Sequence, residues 1–204
     1  SKDSDPIRKA YPDRVVVRFG LAEEVRDQLI LSDSEKNAFS LDAILPTNLP
    51  TVFDDAGKPK AEWAERALNV YDPYVRYAAF NVKKVPCLDI RRAVYFAKDA
   101  AGLLQLSGGG AFGGDPADGA IKPLMGLDYK KVTGLEDFKP EGNAAAAKAL
   151  MEKAKKTCPA EYARATDPKR GLVFDSSDSE TNKKGAAIWI DSMMKNAGIV
   201  MKFN

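Results

Sequence analysis

The chain has 204 residues, enough for one large domain or two small lobes, and its 45% apolar content can supply a sizeable core. The formal net charge is only +2, so the one-sided basic excess of a nucleic-acid surface is missing, and dispersed pairs such as Lys83-Lys84 and Lys155-Lys156 read as solvated surface. There is no histidine, which removes the commonest general base, the Ser-His and Cys-His pairs and the commonest zinc ligand.

Residues 1–13 are polar and read as an extended lead-in. Arg14–Phe19 is a β-branched run and predicts a strand, broken by Gly20. Residues 22–31 favour a helix with Val25, Leu29 and Ile30 on one face. Phe39–Ile44 alternates apolar and polar residues, as a short strand does. A short helix is expected after Pro50, a turn over 54–60, and a helical stretch through Trp63, Ala64 and Ala67. Pro73 precedes a strand over about Val75–Val82, with Tyr77, Ala79 and Asn81 on one face and Arg76, Ala78 and Phe80 on the other.

The clearest element follows Pro86. Ile90, Ala93, Val94, Ala97, Ala101 and Leu104 recur at helical spacing, with Arg91, Arg92, Lys98 and Asp99 facing elsewhere. Residues 107–142, rich in Gly and Pro, form a long ordered loop. An alanine-rich helix over 143–156 and a strand at Gly171–Phe174 come next. Ser177 with Glu180 forms a capping box for a helix through Ile190, Met193 and Ala197. Gly198 ends that helix, and Ile199–Phe203 return as a strand. The closing strand–helix–strand unit marks the chain as α/β.

Few motifs carry chemistry. Ser107–Gly114 invites a phosphate-loop reading, but Asp115 and Pro116 stand where Lys and Ser or Thr would reach phosphate and magnesium. A dinucleotide fingerprint needs a strand before it and a helix after it, the reverse of this order. The glycines therefore serve a sharp turn or the close approach of a ligand. Asp54-Asp55 and Asp175 with Asp178 lack calcium-loop spacing and read as turn and helix-start residues. Trp189, at helical spacing among alanines, reads as core. Cys87 and Cys158 do not form a CxxC motif; they are either two buried thiols or a disulfide closing a loop of about 70 residues. No catalytic residue, metal ligand or cofactor motif is expected.

Tyr77-Ala78-Ala79-Phe80-Asn81-Val82-Lys83-Lys84-Val85-Pro86, followed by Asp89-Ile90-Arg91-Arg92-Ala93-Val94, resembles a signature of the family 5 extracellular solute-binding proteins. That signature is a strand ending in an apolar residue and Asn, a lysine-bearing turn with proline, then Val-Arg-Gln-Ala opening a long helix. Here Ile90-Arg91-Arg92-Ala93 replaces the last motif, and Ala97-Lys98-Asp99-Ala100 keeps only the Asp of the usual continuation. Asp5–Val15, Ser40–Ile44, Asn143–Ala154 and Ala197–Met201 resemble other family segments in the same order.

The resemblance implies a periplasmic-binding-protein-like fold (type II, cluster C), with mixed sheets flanked by helices. The chain would be a fragment of a longer receptor, with residues 1–70 in the first lobe and 75–204 in the second. It implies the substrate-binding component of an ABC importer, extracellular or periplasmic, monomeric, and held to the membrane by a lipid anchor on an N-terminal portion preceding Ser1. The expected ligand is a short peptide or other small solute, closed over by hinge motion and delivered to the permease subunits. Tyr77, Ala79 and Asn81 would face the cleft, with Gly108, Gly109 and Phe112 at its rim. An extracytosolic setting favours the Cys87–Cys158 disulfide. Two other readings compete: a small α/β enzyme using carboxylates or Lys98, and a protein-interaction module.

Overall fold

The computed structural model describes residues 11–35, 37–71, 74–117, 119–177 and 179–204. Residues 1–10, Pro73 and Asp178, on which sequence expectations fell, lie outside that set. The chain divides into two compact units, Ser1–Leu49 and Pro50–Asn204. Residues 50–70, assigned by resemblance to a first lobe, cluster with the second unit.

Among its described residues the first unit holds a 3-10 turn, Pro46–Asn48, and one α-helix, α1 (Glu23–Leu31). Its expected apolar face is only half realised: Val25 is exposed, Leu29 and Ile30 are half-buried, and the buried residue is Asp27, 2% exposed. One Asp27 carboxylate oxygen accepts from Arg26 Nε (3.0 Å) and Nη2 (2.7 Å). The other accepts from Leu45 N (2.8 Å) and Asn48 Nδ2 (2.9 Å). Arg26 Nη2 also donates to Ala43 O at 2.7 Å. A satisfied carboxylate thus fastens the 42–48 loop to α1, where a core would otherwise be needed. Burial alone would push the Asp27 carboxyl up, but the bonds from Asn48, Leu45 and Arg26 outweigh it and hold the pKa below the ordinary value.

Two expected strands of this unit do not form. Arg14–Phe19 and Phe39–Ile44 have no ladder partner among the described residues. Phe19 is 90% exposed, and Val15, Val16, Val17, Phe39 and Leu41 are exposed too. Strand composition without a partner leaves solvated chain outside any ladder. At Ser40 the hydroxyl instead accepts from Asp42 N, a local turn.

The second unit opens within a short helix, α2 (Leu49–Val52). The 54–60 turn is present, closed by Asp54 Oδ1 accepting from Ala56 N and Lys58 N. The helical stretch after it is a single 3-10 turn, Ala61–Trp63. The core is built by α3 (Leu88–Ala97), α6 (Ala144–Thr157) and α8 (Glu180–Ala197), with α7 (Pro159–Ala165) beside α6. Ile90, Ala93, Val94 and Ala97 on α3 pack with Ala147, Met151 and Ala154 on α6 and Met193 and Ala197 on α8, all buried. Small alanines at these contacts let the helices approach closely.

The expected long helix after Pro86 is two: α3 stops at Lys98, whose ψ of 138° is extended, and Asp99 caps α4 (Ala100–Gln105) by accepting from Gly102 N at 2.8 Å. The end of α3 is satisfied from elsewhere. Asn143 N donates to Phe96 O (2.7 Å), and the buried Asn196 side chain donates to Ala97 O (2.9 Å). An Asp at the cap position competes well with continued helix.

β1 (Leu172–Phe174) and β2 (Met201–Phe203) pair in parallel, Leu172 opposite Met201, with α8 as their crossover. Phe174 stacks on Phe203 at 4.8 Å and packs on Trp189 at 5.6 Å. The α/β expectation therefore holds as a helix-rich mixed fold with a small two-stranded parallel sheet. The α8 cap is Ser179 rather than Ser177: Ser179 Oγ accepts from Asn182 N (3.1 Å), and Asn182 Nδ2 reaches back to Ser177 Oγ (2.6 Å). Gly198, at φ 64°, ends α8 as expected.

Candidate functional site

The site residues picked out by sequence lie on two segments of the second unit, 74–85 and 104–115. Val75–Val82, expected to be a strand, forms no ladder among the described residues, Val82 already belongs to the turn that follows, and Tyr77 is 78% exposed. Ala79 and Asn81 are exposed as well. Asn81 Oδ1 accepts from Lys83 N (3.1 Å) and Lys84 N (3.2 Å), and Asn81 O accepts from Val85 N (2.9 Å). The asparagine thus builds the lysine-bearing turn that delivers the chain to α3.

That turn is pinned from below. Arg164 Nη2 donates to Lys84 O at 2.6 Å, and Glu161 accepts from Cys87 N at 2.8 Å. Cys87 is joined to Cys158, 71 residues on, by a disulfide. Lys153 meets Asp89 at 3.0 Å beside it. Sequence reading passed over α7, which supplies Glu161 and Arg164. Its one signal is Pro159 after Cys158, a residue suited to the first turn of a helix.

On the other segment, α4 ends at the glycines. Ser107 N and Gly109 N donate to Leu104 O, Gly108 N to Gln105 O, and Phe112 N and Gly113 N to Gly109 O. Gly108 and Gly109 have φ of 93° and 79°. These N–H groups are spent on closing α4 and opening a short helix, α5 (Gly110–Gly113), so they do not cradle an anion. The turn reading of the glycines is the one the geometry carries. Phe112 packs edge-on against Phe53 at 5.4 Å.

Asn69, Tyr71 and Arg76 each hydrogen-bond to the 104–115 segment, Arg76 from within 74–85. Asn69 Nδ2 bridges Gly57 O and Ala111 O, both at 3.0 Å. Tyr71 Oη meets Asp115 Oδ2 at 3.1 Å, which raises the Tyr71 pKa. Arg76 Nη1 donates to Ser107 Oγ at 3.0 Å. Arg76, Ser107 and the glycines thus sit side by side, with Tyr77 next along the chain. Asn69, Tyr71 and Arg76 were not singled out by sequence; single polar residues in a loop carry no periodic signal.

Among the described residues no cluster of three Cys, Asp or Glu side chains could hold a metal ion, and no helix is long and apolar enough to cross a membrane. Asp54 and Asp175 are engaged locally, the latter with Asn204 Nδ2 at 3.0 Å. Lys98 is the most chemically distinctive group: its ammonium lies 4.4 Å from the Tyr95 ring centre and 5.1 Å from that of Phe138, and burial lowers its pKa. In comparisons with known proteins, the chain matches no family model and no curated protein.

Proposed function

We propose that this chain is part of a family 5-like extracellular solute-binding receptor that holds a short peptide or similar solute between two lobes and passes it to an ABC permease. This reading implies a periplasmic-binding-protein-like fold. The observation that carries the reading is the set of segments, Arg14–Phe19, Phe39–Ile44 and Val75–Val82, that have strand composition, exposed apolar side chains and no ladder partner among the described residues. Such segments are what a sheet looks like when its neighbouring strands belong to chain outside these 204 residues. The disulfide agrees with an extracytosolic setting. Val75–Val82 leads into the pinned turn, and Arg76 ties it to Ser107, next to the glycines; on this reading Tyr77, Ala79, Asn81, Gly108, Gly109 and Phe112 contribute to the surface on which a peptide rests.

The test is a thermal-shift panel of di- to octapeptides, sugars, amino acids and nickel, run on this chain and on a version extended at both ends to the receptor's full length. Peptides are expected to raise the melting temperature of the extended protein only. A second reading, a small α/β enzyme acting through Lys98, is favoured by the lowered pKa of that lysine. Turnover of a carbonyl substrate that is lost in Lys98→Met would support it over the receptor.

A further inference from the structure

The β1–β2 sheet has an open edge on β1. Leu172 N donates to Val200 O, Asn204 N to Phe174 O, and Ser176 N to Asn204 O. Residues 172, 174 and 176 therefore turn their main-chain groups toward β2, and by alternation Val173 and Asp175 turn theirs away. No strand covers that edge among the described residues. Val173 is 58% exposed, and Asp175 is exposed beside it. The edge is an unfilled template for one more strand.

The same unit carries a segment suited to fill it. Val75–Val82 has strand composition, exposes Tyr77 and Val82, and has no ladder partner among the described residues. Its charges, Arg76 within it and Lys83-Lys84 just after it, are opposite in sign to Asp175 on the edge. We propose that Val75–Val82 of a second copy adds as a strand to the β1 edge, so that this chain associates with itself. Each copy offers one segment and one edge, so reciprocal exchange closes a two-fold dimer. This departs from the monomer expected of a receptor and does not rest on the receptor reading.

Sedimentation equilibrium of the 204-residue chain tests it. The mass should rise from one chain toward two between about 1 µM and about 1 mM. Ala79→Pro, in the exposed segment, and Val173→Pro, which removes an outward N–H and leaves the ladder to β2, should each hold the chain at one mass over that range. The urea midpoint of each variant shows that it is folded. Should Val173→Pro fail to fold, Ala79→Pro alone decides, together with an added synthetic 75–82 peptide, which should dissociate the wild-type dimer. A wild-type chain that stays monomeric throughout, or an Ala79→Pro chain that associates as the wild type does, overturns the proposal.

Discussion

At the scale of single residues, Asp27 does the most per atom. It receives four hydrogen bonds in a unit with little apolar core. Asp27→Ala should destabilise the 42–48 loop by about 2 kcal/mol, raising hydrogen exchange at the Leu45 amide roughly 30-fold at fixed pH. The pH dependence has a definite sign. The folded pKa lies below the unfolded value of 3.8, so the carboxylate's contribution is present above that value and lost as pH falls through the folded pKa. Asp27→Asn should flatten that part of an acid titration followed by amide chemical shifts. Gly113 is held for a different reason: a Cβ there would lie 2.8 Å from Leu104 O. Gly113→Ala should therefore cost about 1–3 kcal/mol in urea unfolding by forcing α4 and α5 apart.

At the scale of elements, the disulfide ties the start of α3 to the junction of α6 and α7. Replacing both cysteines by Ala should lower the stability of the second unit by about 4 kcal/mol in the chain-entropy account, read from urea melts by Trp189 fluorescence. Ile90, fully buried between α3, α6 and α8, should cost about 3 kcal/mol when cut to Ala. These helices were legible in the sequence because burial repeats every three or four residues whatever lies outside the window. The β1–α8–β2 unit was legible because its partners are close in sequence. Arg14–Phe19, Phe39–Ile44 and Val75–Val82 show the limit of that reading: composition marks strand competence, whereas a strand requires a partner, which no local pattern reports. The break between α3 and α4 was hidden because Ala101 and Leu104 keep the helical period across Lys98-Asp99, and only the Asp99 cap gives it away.

At the scale of the whole molecule, the question is what completes these unpaired segments. Of the candidate site, the family resemblance marked Tyr77, Ala79, Asn81, Gly108, Gly109 and Phe112. Their local roles, Asn81 in a turn and the glycine N–H groups in closing α4, came only with the hydrogen bonds. The bonds of Arg76 and Asn69 to the glycine loop were illegible because they join positions 31 and 42 residues apart through single polar side chains. The receptor reading places the missing strands and the missing wall of the pocket in additional polypeptide. The most direct test is the melting temperature of the fully extended protein and of this chain, each with and without saturating peptide. The receptor account predicts a rise for the extended protein and none for the 204-residue chain. No rise in either, or an equal rise in both, would contradict it.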